Sequence, residues 1–159
     1  MKNILSLDEI VKIRKLLKKQ SRKVVFTNGT FDILHAGHVD YLNKSKELGD
    51  VLIVGLNSDN SIKRIKGDKR PIVKQNERAF ILANLKAVDY VTIFDEDTPY
   101  ETLLKLVPDV LVKGADWAKE NIVGKDIVES AGGKVETIEF VNMQSTTNII
   151  KTVLEKFRE

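Results

Sequence analysis

The chain has 159 residues, no cysteine and a formal net charge of +3. This length predicts one domain over 1–159, with a helix over 1–20 packed on it. The lack of cysteine excludes disulfides and cysteine-based metal sites. No apolar run approaches the ~18 residues of a membrane span, and the start of the chain has no signal-peptide pattern, so we expect a cytoplasmic protein. The weak charge and scattered basic residues do not favour nucleic acid as a partner.

Strands and helices are predicted to alternate along the chain. Ser6 and Glu9 form a capping box that begins the first helix. Short apolar segments predict strands over 24–26, 50–56, 89–94 and 109–112, and an alternating segment predicts a fifth, more exposed strand over 134–140. Helices are predicted over 35–48, 76–87 and 123–131, after a cap at Thr98, and from Ser145 onwards. This order predicts a Rossmann-like α/β fold, a three-layer α/β/α arrangement with a mostly parallel five-stranded sheet.

Two histidines lie where the first strand gives way to a helix. The segment is Thr27-Asn28-Gly29-Thr30-Phe31-Asp32, followed by His35-Ala36-Gly37-His38. The first turn of a helix has unpaired N–H groups that attract phosphate, and glycine lets a phosphate approach the backbone. Histidines there can hold negative charge during nucleotidyl transfer. Taken alone, such a pair more often serves packing or the surface; the strand–turn–helix context favours the phosphate site.

A second phosphate-type segment begins the last helix. Ser145, Thr146 and Thr147 either cap this helix or bind phosphate, because hydroxyls and free N–H groups meet there. Apolar residues then recur at helical spacing, at Ile149, Ile150, Val153, Leu154 and Phe157.

Other polar residues have two interpretations. The basic segment 61–71 is predicted to be a loop that is either solvated or closes over an anionic substrate. Arg78 forms either a surface ion pair or a phosphate contact. Lys46 lies eight residues beyond His38, ~12 Å along a helix, so we expect it to be solvated.

The histidine segment, T-N-G-T-F-D-x-L-H-A-G-H, resembles the signature of nucleotidyltransferases of the cytidylyltransferase-like superfamily. Residues 66–71 are similar to a K-G-D-x-R-P segment, and 145–150 to the S-T-T-N-I-I, of the adenylyltransferase domain of bacterial ADP-heptose synthesis enzymes. This resemblance covers about residues 22–152. It implies transfer of AMP from ATP to D-glycero-β-D-manno-heptose 1-phosphate, giving ADP-heptose and pyrophosphate, for lipopolysaccharide core precursors. The acceptor phosphate is largely dianionic at pH 7, because its second pKa is about 6, and needs no general base.

The resemblance also implies roles for individual residues. The catalytic pair would be His35 and His38, and Mg²⁺ would accompany ATP, with no metal ligand assigned in the protein. Asp32 is either an indirect ligand or a turn carboxylate, and Trp117 either packs near the base or belongs to the core. The nucleotide would contact Thr30, Phe31, Gly37, Gly114, Asp116, Ser145, Thr146 and Thr147. The sugar phosphate would contact Asn57, Asp59, Lys66, Arg70 and Arg78.

Alternatives remain open at this stage. Glycerol-phosphate cytidylyltransferases carry an arginine shortly before the hydroxyl triplet and an isoleucine directly before it, where this chain has Phe-Val-Asn-Met-Gln over 140–144. A CTP-dependent enzyme acting on glycerol 3-phosphate, an ATP-dependent enzyme with another sugar phosphate, and a regulatory nucleotide-binding module are the competing hypotheses. Relatives commonly dimerise, which predicts a homodimer, although no apolar stripe in the sequence identifies its surface. A heptose kinase, separate or fused in a longer chain, is expected in the same pathway.

Overall fold

The computed structural model describes residues 3–115, 121–139 and 145–158. Its strands are β1 (Val24–Gly29), β2 (Val51–Asn57), β3 (Tyr90–Phe94), β4 (Val110–Gly114) and β5 (Lys134–Ile138). Its helices are α1 (Leu7–Lys19), α2 (Ala36–Lys46), α3 (Asp59–Lys66), α4 (Gln75–Ala83), α5 (Tyr100–Leu106), α6 (Lys125–Ser130) and α7 (Thr146–Lys156). The predicted alternation of strands and helices is confirmed.

The five strands form one sheet in the order β3-β2-β1-β4-β5, and every neighbouring pair is parallel. The predicted Rossmann-like sheet is therefore confirmed, and it is wholly parallel. Because β1 lies in the centre, the turn after Gly29 opens beside the carboxyl ends of β2 and β4. Ligands of open α/β sheets bind at this edge.

Helices cover both faces of the sheet. One apolar core includes Tyr41 and Leu42 of α2 and Leu82 of α4, whereas the opposite core includes Ile10 of α1 and Leu103 of α5. Every residue of β2 is buried, which explains why that strand is apolar along its whole length.

Helix α1 begins as predicted, with the Ser6–Glu9 capping box formed. Arg14 lies on its buried face, although arginine is rarely buried without a partner. Its Nη2 donates to the Asp109 carboxylate at 2.8 Å and its Nε to the Val107 carbonyl at 3.1 Å. These contacts fix α1 to the segment that leads into β4.

Three local predictions were wrong. The first half of the basic segment 61–71 is helical: Ser58 caps α3 by accepting from the Ser61 N–H, and Ile62 is fully buried. Pro99, not Thr98, precedes α5 as its cap residue. The expectation that no exposed apolar stripe is present is also wrong, because the stripe of α7 lies outside the core and no described residue of that helix is buried. The chain therefore does expose an apolar stripe.

Lys46 is not simply solvated. Its ammonium group pairs with Asp89 at 2.5 Å and donates to the Asp50 carbonyl at 2.6 Å. The residue joins the end of α2 to the turns before β2 and β3. Among the described helices, none is long and apolar enough to cross a bilayer.

Candidate active site

A cavity of about 730 Å³ opens at the carboxyl edge of the sheet, above β1, β2 and β4. Its walls come from segments far apart in the sequence, including the turn after β1, the start of α2, the end of α3 and the start of α7. The structure places nine of the predicted site residues on its lining: Thr30, Phe31, His35, His38, Asn57, Lys66, Gly114, Ser145 and Thr146. Asp116 and Trp117 lie outside the described residues.

The two histidines stack on each other at the start of α2. Their ring centroids are 3.9 Å apart with the planes at 29°, and Phe31 packs on His38 at 5.4 Å. His35 is the cap residue of α2, and its carbonyl accepts from the His38 N–H at 3.0 Å. The Nδ1 atoms of both rings are buried and have no hydrogen-bond partner within the described part of the chain. Because both histidines line the cavity, a ligand bound there would contact their rings.

Both rings are held in the neutral form near pH 7. Burial lowers the pKa of His35, and burial together with the charges of His35 and Lys66 lowers the pKa of His38 to about 4. A neutral imidazole has one N–H donor, and the arrival of phosphate charge would favour its protonation.

The turn after β1 has an unusual backbone that sets this arrangement. Phe31 and Ile33 adopt positive φ angles of 44° and 52°, a left-handed conformation that is uncommon for such residues. The Phe31 ring folds back over Gly29, where an added Cβ would lie 3.0 Å from ring atom Cε2. A side chain at position 29 would therefore crowd the Phe31 ring that packs on His38.

Asp32 is fully buried below this turn. Its carboxylate accepts from the backbone N–H groups of Ile72 and Val73 and from Arg70 Nε, which lies 2.7 Å away. Burial opposes ionisation, but these three donors outweigh it and lower the pKa of Asp32. Asp32 thus ties the histidine turn to segment 70–73. Its partner Arg70 does not belong to the cavity lining.

Arg78 is also buried rather than part of a surface ion pair, and it lies behind the cavity lining. Its guanidinium donates to the carbonyls of Thr30, Asn57 and Val73 and to the carboxylate of Asp59. One side chain thus joins the ends of β1 and β2 to the starts of α3 and α4. With Asp59 paired here, neither residue faces the cavity.

The hydroxyl triplet has divided roles. Ser145 caps α7 by accepting from the Asn148 N–H at 3.1 Å, and Thr146 Oγ1 donates to the Asp32 carbonyl at 2.5 Å. Thr147 is exposed and lies outside the cavity lining, as does Gly37, which is buried in the first turn of α2. The contact between Thr146 and Asp32 brings the two predicted phosphate segments together.

Several lining residues were not singled out as site residues from the sequence. They are Asn28 on β1, Tyr41 on α2, Lys113 on β4, and Asp97 and Thr98 after β3. Polar residues at the carboxyl ends of parallel strands were the available signal for Asn28 and Lys113. No pattern in the sequence shows that the acidic segment after β3 turns towards the cavity.

Residues 26–153 match the protein family described as Cytidylyltransferase-like. The chain belongs to this family. Two curated relatives, each named Bifunctional protein HldE, come from Geobacter metallireducens and Wolinella succinogenes, and each is 54% identical to this chain. The matches cover 98% and 94% of this chain but 32% and 31% of the relatives. The chain thus spans about a third of the length of these relatives.

Two solved structures resemble this chain. A lipopolysaccharide core biosynthesis protein from Thermoplasma volcanium is 30% identical, with a TM-score of 0.63 over 77% of this chain and 99% of that chain. A pantoate-beta-alanine ligase from Francisella tularensis, complexed with Beta-gamma ATP and Beta-alanine, gives the same TM-score at 19% identity, over 91% of this chain and 69% of that chain. The second likeness is one of fold alone.

A divalent cation is consistent with a cytidylyltransferase-like enzyme that uses a nucleoside triphosphate. The described residues contain no group of three or more His, Asp or Glu side chains that could hold a metal ion. Asp32 is occupied by its three donors, and Asp97 pairs with Arg64 Nε at 2.6 Å. Mg²⁺ often binds through substrate phosphates and retains waters. A cation of that kind would be held mainly by the phosphates of the nucleotide.

Proposed function

We propose that the chain is a cytoplasmic adenylyltransferase that transfers AMP from ATP to D-glycero-β-D-manno-heptose 1-phosphate, releasing pyrophosphate and forming ADP-heptose for the lipopolysaccharide core. The observation that carries the proposal is the stacked His35–His38 pair on the lining of a cavity that it shares with Ser145 and Thr146. The HldE relatives and the lipopolysaccharide core protein support the assignment.

In this proposal the protein positions the substrates and stabilises charge. The acceptor phosphate is already a nucleophile, because its second pKa of about 6 leaves it largely dianionic. His35 and His38 hold the negative charge that develops on the α-phosphate oxygens. Ser145 and Thr146 bind the β- and γ-phosphates, with Thr147 and Gly37 at the edge of this site. The charge of Lys66 adds to this anion-binding region.

The remaining predicted residues take supporting roles. Thr30 and Phe31 present backbone N–H groups to the nucleotide, and Gly114 and Asp116 lie beside the ribose. Asn57 contacts the acceptor. We assign Asp59, Arg70 and Arg78 to positioning, because their described hydrogen bonds go to other protein groups.

Mg²⁺ bound to ATP would neutralise part of the phosphate charge. The chain acts in this proposal as one nucleotidyltransferase domain over 1–159 and as a homodimer, and a separate or fused heptose kinase supplies its acceptor.

The test measures pyrophosphate release with Mg²⁺ and ATP, with and without heptose 1-phosphate. We expect release to require both substrates and kcat to fall by about 100-fold or more in His38→Ala, because it loses a group placed at the developing charge. Lys86→Met, an exposed lysine on the loop after α4, is the matched control and should retain activity. Release only with CTP and glycerol 3-phosphate would overturn the substrate assignment. Tight ATP binding without release for any pair would favour the regulatory module.

A further inference from the structure

The cavity has two sides that flank the histidine turn. Strand β1, which leads into this turn, lies between β2 and β4 in the sheet. The proposed function places the ribose beside Gly114 at the end of β4 and the acceptor beside Asn57 at the end of β2. In this arrangement the nucleotide and the acceptor occupy opposite sides of the turn, and residues next to β2 belong to the acceptor side.

The segment between β3 and α5 reaches the acceptor side of the cavity. Phe94, the last residue of β3, pairs with Asn57, the last residue of β2. A few residues further along the chain, Asp97 and Thr98 lie on the cavity lining, as does Lys66 at the end of α3. The strand order therefore brings Asp97 and Thr98 to the side of the cavity that the acceptor occupies.

Helix α3 holds this segment in place. Arg64 donates through Nε to Asp97 Oδ1 at 2.6 Å and through Nη2 to the Asp95 carbonyl. Ser61 Oγ donates to the Glu96 carbonyl at 2.8 Å. These contacts come from one helix and reach three consecutive residues, so the Asp97 carboxylate has a defined position at the edge of the cavity.

The pairing with Arg64 leaves Asp97 able to bind a ligand. The hydrogen bond uses Oδ1, and no hydrogen bond or ion pair to Oδ2 is present among the described residues. A carboxylate has room for about four hydrogen bonds, and the Asp97 side chain is 56% exposed, so Oδ2 can accept from a molecule in the cavity. The charge of Arg64 disfavours a second cation here, and the carboxylate itself repels phosphate. Asp97 is therefore suited to neutral hydroxyl groups.

Thr98 adds a second polar group directly after Asp97. Its side chain is exposed, and its hydroxyl group both donates and accepts hydrogen bonds. The acceptor of the proposed reaction consists of one phosphate and a neutral sugar with several hydroxyl groups. The phosphate must reach the α-phosphorus beside the histidines, so the sugar is the part that can extend along Asp97 and Thr98.

We infer that Asp97 and Thr98 bind hydroxyl groups of the acceptor sugar and thereby select hydroxylated acceptors, an inference that rests on the proposed function. Asp97 Oδ2 accepts a hydrogen bond from one sugar hydroxyl, and the Thr98 hydroxyl bonds to another. Arg64 is a positioning residue, because it holds the Asp97 carboxylate without contacting the sugar. Neither Asp97 nor Thr98 takes part in bond making, since the acceptor phosphate supplies the attacking oxygen.

The first test compares Asp97→Asn with Glu96→Gln. Asparagine keeps the size of the side chain and an oxygen that accepts from Arg64, but it removes the carboxylate oxygen assigned to the sugar. We expect kcat/KM for heptose 1-phosphate to fall by about 10- to 100-fold, the effect of losing a charged hydrogen bond, with the KM for ATP within about threefold of the wild-type value. Glu96→Gln removes the charge of the adjacent exposed carboxylate, which does not belong to the cavity lining, and should retain wild-type kinetics.

Deoxy analogues of heptose 1-phosphate, each lacking one hydroxyl group, separate hydroxyl recognition from a structural effect. The analogue that lacks the hydroxyl bound by Asp97 should react equally well with the wild type and with Asp97→Asn, because both pairs lack the same hydrogen bond. The other analogues should show the full difference between the two proteins. An equal loss with every analogue would show a structural effect and overturn the inference.

Thr98 and Arg64 have their own readouts with the same analogues. Thr98→Val should lower kcat/KM for the acceptor by about 3- to 10-fold, and this loss should disappear with a different analogue from the one that identifies the Asp97 contact. Arg64→Met should cause a smaller loss than Asp97→Asn and should lose its effect with the same analogue, because Arg64 acts through Asp97. A Thr98→Val protein with wild-type kinetics would overturn the role of Thr98, and an Arg64→Met loss that persists with every analogue would contradict positioning.

The outcomes separate this inference from the proposed function. A KM for ATP that rises in Asp97→Asn while the acceptor kinetics are unchanged would place Asp97 at the nucleotide and overturn the inference, as would Asp97→Asn kinetics equal to those of Glu96→Gln. If the wild-type enzyme uses glycerol 3-phosphate instead, the proposed sugar fails; a tenfold loss in Asp97→Asn with that acceptor then supports the inference, and no loss overturns it. If no pair turns over, calorimetry with heptose 1-phosphate decides: binding weakened about tenfold in Asp97→Asn but not in Glu96→Gln supports the inference, and any other result overturns it.

Discussion

At the residue scale, the histidines illustrate how burial prepares a site for charge. Both imidazoles are neutral at pH 7 because burial opposes protonation, and the charge of Lys66 adds to this at His38. A neutral ring avoids an uncompensated positive charge in the empty cavity. It can still donate a hydrogen bond to phosphate and become more basic once phosphate arrives.

The lowered pKa of His38 makes the folded protein sensitive to acid. The unfolded chain takes up this proton near pH 6.5, whereas the folded protein does so near pH 4, so the free energy of unfolding falls as the pH drops through this interval. Removing the imidazole in His38→Asn should make the loss of stability between pH 7 and pH 5 smaller by about 1 kcal/mol, with solvent screening taken into account. Urea denaturation at the two pH values measures the difference. Identical losses in variant and wild type would contradict the prediction.

The sequence predicted these histidines because the relevant signal is local. A strand, a turn with Gly29 and a helix start are contiguous, and the motif has fixed spacing. Arg78 could not be interpreted in the same way. Its acceptors on Thr30, Asn57 and Asp59 lie 19 to 48 residues away and become neighbours only in the folded sheet. Lys113 was missed for a related reason, since its partner Asn28 lies 85 residues away.

At the element scale, the turn after β1 is held by contacts from two other segments. The Asp32 carboxylate accepts hydrogen bonds from the backbone N–H groups of Ile72 and Val73, and the Asp32 carbonyl accepts one from Thr146 of α7. One residue therefore connects the histidine turn, the segment before α4 and the start of the last helix. The sequence did not predict this connection. The basic composition of 61–71 predicted a loop, whereas Ser58 caps helix α3 and Ile62 packs on its buried face.

Asp32→Asn should disturb all three segments together. The amide replaces one carboxylate oxygen with an NH₂ group, which would face the N–H donors of segment 70–73. The substitution also removes the negative charge that pairs with Arg70. Loss of one member of a buried ion pair typically costs about 3 kcal/mol or more in the free energy of unfolding. Chemical denaturation at pH 7 measures this cost, and Asp68→Asn in the same exposed segment is the control, expected to change stability by less than about 0.5 kcal/mol. An Asp32→Asn protein as stable as the control would show that the network contributes little.

At the scale of the whole molecule, the parallel sheet follows from the alternating pattern, but the surroundings of the last helix do not. Helix α7 has the apolar spacing of a core helix, yet Val153, Leu154 and Phe157 are 50%, 57% and 80% exposed. Periodicity predicts that such a face is covered, but it does not identify what covers it. For helix α7, the apolar spacing therefore predicts a buried face, whereas the described structure of a single chain leaves that face exposed.

A second copy of the chain would remove this face from water, which supports the proposed homodimer. We predict that the protein sediments at twice its 18.0 kDa chain mass and that Leu154→Glu shifts it towards the monomer, because a buried, unpaired carboxylate at the interface is costly. Leu16→Glu, on an equally exposed leucine of α1, should leave the mass unchanged and serves as the control. Sedimentation equilibrium over a range of concentrations makes the measurement. A wild-type protein that stays monomeric throughout would contradict the homodimer, and a Leu154→Glu protein that remains dimeric would place the interface away from α7.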